Sequence, residues 1–101
     1  MDAVLKAIAE PRRRQILSLV RLEELSAGQI AAHFEVSRPA ISQHLGVLKE
    51  SGLVVERRQG TRRLYLANPD GLEQLRSFLE PFWEVRLERL KKEVEADGSH
   101  R

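Results

Sequence analysis

The apolar residues of this chain change period twice, and that limits the fold more than any other feature. From Val4 to Leu48 they recur at helical spacing, one buried stripe per helix. From Leu53 to Arg58 branched apolar residues cluster, Gln59-Gly60-Thr61 reads as a turn, and Arg63 to Leu66 alternates. That is a two-stranded hairpin. From Pro69 to Val94 the helical period returns. The fold class expected is mainly α with a small β-hairpin, in the order ααααββα. At 101 residues the chain supports one domain, since domains typically take ~100–200 residues.

Local punctuation divides the first half into four helices. Val4, Leu5 and Ile8 belong to a short helix that stops at Glu10-Pro11, and Pro11 suits the first turn of the next. The second helix buries Ile16, Leu17 and Val20. Ser26 followed by Gln29 is a capping-box pattern, so a third helix runs from there to Phe34 with Ala31 and Ala32 between its buried residues. After a break at Glu35-Val36, Ser37 caps a fourth helix whose buried stripe is Ile41, Leu45 and Leu48. Ser51-Gly52 ends it. In the last helical stretch Pro81 predicts a kink or a join between two helices. The domain is expected over residues 1–96, with 97–101 as a disordered tail.

Charge is distributed unevenly. Residues 1–63 hold 11 Lys+Arg against 7 Asp+Glu, while 64–101 hold 6 against 8. The basic excess gathers at Arg12–Arg14 and at Arg57, Arg58, Arg62 and Arg63 around Gly60, which suggests a polyanion partner for the front of the chain. Three arginines opening the second helix oppose its macrodipole and need compensation, from DNA phosphate or from Asp2, Glu10, Glu23 and Glu24. The absence of cysteine excludes disulfides, thiolate metal sites and thiol redox chemistry. No stretch approaches the ~18 apolar residues of a membrane span, and the N-terminal order of apolar before basic residues reverses that of a secretory signal. A cytoplasmic protein with no membrane partner is expected.

The third and fourth helices, joined by the Phe34–Ser37 break, make a helix-turn-helix. With Ile41, Leu45 and Leu48 inward, the fourth helix turns Pro39, Ser42, Gln43 and Gly46 outward, with Arg38 and Lys49 on one flank and His44 on the other. Such a small polar surface can enter a major groove, where Gln43 could read adenine and Arg38 guanine or a phosphate. Four arginines around one tight turn can straddle a phosphate backbone or enter a minor groove. A helix-turn-helix followed by a basic hairpin is a winged helix.

The run SRPAISQHLGVLKESGLVVERRQGTRRLYL, Ser37 to Leu66, resembles the winged-helix core of ArsR-type bacterial transcriptional repressors. AEPRRRQIL, Ala9 to Leu17, resembles the opening of that family's second helix, and Ser26 to Phe34 fits its first motif helix. The resemblance implies a dimeric repressor with the fourth helix in the major groove and the wing on the flanking backbone. Ser37, Arg38, Ser42, Gln43, His44 and the wing arginines match family DNA-contact positions, and Pro39 stands among them. The chain departs from the metal-sensing members, which carry Cys pairs on the first motif helix or Asp/His sets on the C-terminal helix. Here the motif helix reads AGQIAAHF and Pro69 to Val94 contains no His, so no metal and no cofactor are expected.

Leu79, Phe82, Trp83, Leu87, Leu90 and Val94 form an apolar stripe that a small winged core cannot cover. It is expected to form a homodimer seam together with Val4, Leu5 and Ile8. The alternative is a pocket for a small hydrophobic ligand lined by Phe78, Phe82 and Trp83. Enzyme action is not expected, because the chain has no Gly-rich phosphate loop, nucleophile–base pair or metal cage. The function expected is repression by a homodimer bound to a palindromic double-stranded DNA operator. The rivals are an architectural DNA binder without sequence preference and a winged-helix protein-interaction module.

Overall fold

The computed structural model describes residues 1–99, and the side chains of all of these except 83–88 and 95–99. The element order is α1 (Asp2–Ala9), α2 (Pro11–Val20), β1 (Leu25–Ser26), α3 (Ala27–Ala31), α4 (Arg38–Glu50), β2 (Val54–Gln59), β3 (Arg62–Ala67) and α5 (Pro69–Ser99). The four anticipated helices, the hairpin and the final helix are all present. The expected order lacked β1, which pairs antiparallel with β3 through Leu25–Tyr65 and Ser26–Leu64 and makes a three-stranded sheet ordered β1-β3-β2. Two residues are too few to carry an alternation. Ser26 also caps α3, so its strand pairing hides behind its capping role.

The caps act as their residue types require. Glu10 accepts the Arg13 N–H at 2.9 Å, and Ser37 Oγ accepts the Ala40 N–H at 3.3 Å. Ser26 Oγ accepts the Gln29 N–H while Gln29 Oε1 accepts the Ser26 N–H, closing the capping box. Only α3 falls short of its expected length. It ends at Ala31, and His33 and Phe34 donate to carbonyls three residues back (Ile30 and Ala31), so the chain tightens beyond the helix before Ser37. At the far end of α4, the Leu53 N–H reaches Leu48 O and the Gly52 N–H reaches Lys49 O. That double closure needs a left-handed residue, and Gly52 supplies it at φ 84°.

Ile16, Ile30, Ile41, Leu45, Leu48 and Leu53 are at most 1% exposed and fill the space where α2, α3, α4 and β2 meet. Val4 is buried in the same core at 7% exposure. Among the described residues, α5 docks through its first turns. Leu72 and Leu75 pack on the core, and Asn68 Nδ2 donates to Gly52 O at 2.9 Å. Gly71 approaches so closely that a Cβ there would stand 2.0 Å from Gly52 O. Beyond this anchor α5 runs as one helix through Pro81, with no join at that residue, and Asp97, Gly98 and Ser99 are helical rather than frayed. His100 and Arg101 lie outside the described residues.

Candidate nucleic-acid interface

α4 presents one uncharged strip to solvent. Its buried stripe of Ile41, Leu45 and Leu48 fixes its rotation, and Pro39, Ser42, Gln43 and Gly46 are exposed on the opposite side. Ser37 and Arg38 are exposed at its start. His44 does not join this strip. It is half-buried, with Nδ1 3.4 Å from Arg13 Nη1 and 3.9 Å from Glu10 Oε2, so it ties α4 to the start of α2. Its position one residue past the exposed strip turns it toward the α1–α2 corner.

The wing is a six-residue pair, β2 and β3, in register from Val54–Ala67 to Gln59–Arg62. Gly60 at φ 64° and Thr61 make the turn. Strand alternation divides the arginines. Arg58 and Arg63 are cross-strand partners on the face of Glu56 and Tyr65, while Arg57 lies on the other face opposite Leu64. Glu24, just before β1, captures Arg57 from there. Arg57 Nε lies 3.0 and 3.1 Å from the two carboxylate oxygens and Nη2 lies 2.5 Å from Oε2. These hydrogen bonds, aided by the opposite charge, hold the Glu24 carboxyl below its ordinary pKa and push Arg57 up. Arg57, expected among the DNA contacts, is thus paired with Glu24 of the body while remaining 54% exposed.

Glu56 performs a second such service. It accepts from Lys49 Nζ of α4 at 2.8 Å and lies 3.4 Å from Arg63 Nε, and the Lys49 bond foremost lowers its pKa. Arg58 makes no hydrogen bond or ion pair among the described residues. Arg62 Nη2 donates to Gln29 Oε1 at 3.2 Å. Sequence reasoning missed Glu24, Gln29 and Glu56 as organisers of this face. The capping box did mark Gln29, but for the helix alone.

Between α4 and the wing lies a cleft of about 390 Å³. Arg38 and Ser42 line one wall, Thr61, Arg62, Arg63 and Tyr65 the other, and Ser26 and Ala27 the floor. No carboxylate lines it among the described residues.

The cluster Arg12–Arg14 has another task. Arg13 Nε donates to Ala7 O at 2.7 Å and Arg14 Nη1 to Ile8 O at 2.7 Å, so these side chains close the carbonyl end of α1. Arg12 lies 4.7 Å above the Phe34 ring. The compensation for their charge comes from α1 carbonyls, the Glu10 cap and an aromatic face.

Of the residues expected at a dimer seam, Leu79, Phe82, Leu90 and Val94 are exposed, at 46%, 67%, 48% and 69%. Leu5 and Ile8 are half-buried. Val4 is corrected: its own chain's core already covers it, because the i, i+3 spacing to Ala7 points it at α2 and α4. The Trp83 and Leu87 side chains lie outside the described residues. Phe78 and Phe82 meet at a tilt, 5.8 Å between ring centroids, on an open helix face.

Comparison with known proteins agrees with this geometry. Residues 10–55 match the family model described as bacterial regulatory protein, arsR family. An HTH-type transcriptional regulator of Mycobacterium tuberculosis is 40% identical over 97 residues, covering 96% of this chain and 91% of its own. The transcriptional repressor SdpR of Bacillus subtilis is 41% identical over 73 residues, covering 72% of this chain and 81% of its own. Among solved structures, a possible transcriptional regulator for arsenical resistance superposes with a TM-score of 0.75 at 46% identity, over 89% of this chain and 94% of its own. The homodimeric winged helix-turn-helix DNA-binding domain of a Mycobacterium bovis protein superposes with a TM-score of 0.68 at 32% identity, over 82% and 77%.

Proposed function

The chain belongs to the arsR family of bacterial regulatory proteins, and from that premise we propose that it is a homodimeric repressor occupying a palindromic operator without answering to metal ions. Family membership makes it a transcriptional regulator with a winged helix-turn-helix, not an enzyme. The observation that carries the finer reading is the exposed, carboxylate-free front of α4 set beside a cleft lined by arginines. In this reading Gln43 meets base edges in a major groove, with Ser37, Pro39 and Ser42 beside it and Arg38 turned to the flanking backbone. Arg58, Arg62 and Arg63 contact the flanking backbone. Residues 1–96 act as one DNA-binding domain, and α5 supplies the seam through Leu79, Phe82, Leu90 and Val94.

The seam is favoured over a pocket for a hydrophobic ligand because Phe78 and Phe82 stand exposed, at 40% and 67%, on α5. Metal independence is supported by the donor set. No group of three or more His, Asp or Glu among the described residues converges at ligand distance. The test is selection of duplexes from a randomised pool by the purified protein, followed by titration with and without zinc. A recovered inverted repeat, bound equally in both conditions, is the expected result. Recovery of no preferred sequence would leave an architectural binder instead. A tenfold change in affinity with stoichiometric zinc would sink metal independence.

A further inference from the structure

Arg38 and Arg62 reach one cleft from opposite walls, the first from the opening turn of α4 and the second from the opening residue of β3. The segment that opens α3 positions both. Arg62 Nη2 donates to Gln29 Oε1, the same oxygen that accepts the Ser26 N–H at 2.8 Å, so the cap of α3 also holds the wing arginine. Arg38 lies across Gly28, where a Cβ would stand 3.8 Å from the guanidinium carbon and a larger side chain would push the arginine away. Both arginines thus line one cleft, and no carboxylate lines it among the described residues. Glu56 takes up Arg63 instead, and Glu24 takes up Arg57. Like charges gathered around a cleft of about 390 Å³, room for roughly a dozen waters at ~30 Å³ each, make a seat for an anion. Guanidinium forks and the Ser42 and Thr61 hydroxyls suit a tetrahedral oxyanion.

Resting on the DNA-binding reading above, we propose that this cleft seats a single backbone phosphodiester, held from one side by Arg38 of α4 and from the other by Arg62 of the wing. Helix and wing then grip one shared phosphate, and Gly28 and Gln29 are the residues that position the two arginines for it. The wing's hold on the backbone is coupled to the docking of α4, because moving either wall empties the seat.

The test uses a duplex selected by the wild-type protein from a randomised pool, with each phosphate replaced in turn by a neutral methylphosphonate. One phosphate per half-site should cost the wild type about tenfold in affinity when neutralised, the scale of one charge-assisted contact. Arg38→Ala and Arg62→Ala should each lose sensitivity at that same phosphate, and their combined loss should fall short of the product of the single losses. Arg58→Ala, outside the cleft, should keep the sensitivity. Gln29→Glu retains the capping box while placing a carboxylate beside Arg62, and should also weaken binding at that position. If Arg38 and Arg62 report on two different phosphates, or their losses multiply, the shared seat is wrong while the DNA-binding reading stands. Failure of the wild type to bind any duplex would overturn both.

Discussion

Arg57 and Arg58 are adjacent and chemically identical, yet the strand sends them to opposite faces. Arg57 meets Glu24 in a bidentate pair, whereas Arg58 stays exposed beside Arg63. The two variants should therefore separate in one experiment. Arg58→Ala should weaken binding to all duplexes and reduce the salt slope by roughly 0.9 for each phosphate that a protomer ceases to neutralise. Arg57→Ala should leave that slope unchanged, since its charge is already neutralised. Equal slopes for both variants, measured by titration across a salt series, would contradict the assignment. Arg13 and Arg14 follow the same rule at the other basic cluster: each spends its donors on carbonyls of α1.

Two elements depend on close joints. α5 is seated by Gly71 against the Gly52 turn, and the 2.0 Å approach that a Cβ would make is to backbone, which cannot swing aside. Gly71→Ala should cost on the order of 1–3 kcal/mol, the usual penalty of overpacking. Thermal unfolding should show this as a drop of roughly 4–8 °C for each kcal/mol. An unchanged midpoint would mean that the α5 joint is looser than the structure has it. The wing is tied to the body by Glu24, whose carboxyl is held below its ordinary value of 4.5 by the Arg57 hydrogen bonds. A depressed folded-state pKa stabilises the protein fully above the ordinary value, and that contribution disappears as pH falls through the depressed one. The stability difference between wild type and Glu24→Gln should thus be flat near neutral pH and vanish in acid below 4.5. Denaturant titrations over a pH series would reveal it. A difference that grows toward acid would have the wrong sign.

At the scale of the molecule, the feature that one chain leaves open is α5. Its 31 residues extend about 46 Å at ~1.5 Å per residue, while among the described residues its first turns are what touches the core. Phe78, Leu79, Phe82, Leu90 and Val94 are exposed along it. A symmetry-related α5 is the covering partner in the proposed dimer, which would set two α4 helices about one DNA turn apart, roughly 34 Å, or a small multiple of it. Phe82→Asp should halve the molar mass seen by light scattering while leaving the winged core folded. Operator affinity should then fall further than for any single arginine variant, because the second half-site becomes a separate binding event. A Phe82→Asp protein that stays dimeric and binds normally would remove the seam and reopen the ligand-pocket reading.

Helix stripes, caps and the hairpin were legible because each is specified by residues close in sequence. Ser26 and Gln29 cap a helix three residues apart, Ile41, Leu45 and Leu48 define one face, and Gly60 marks the turn. The exposed strip of α4 followed directly, since burying one face of a helix fixes the other. β1 was not legible, because its partner Tyr65 lies forty positions away and two residues carry no period. The roles of Arg57, Arg62 and His44 were not legible for the same reason: Glu24, Gln29 and Arg13 reach them only after the sheet and the α2–α4 packing have formed. Local sequence decides which residues form helix or strand and which face is apolar. Which arginine keeps its charge free is decided by carboxylates and amides brought within about 3 Å by folding, where a single hydrogen-bonded pair outweighs membership of a basic run.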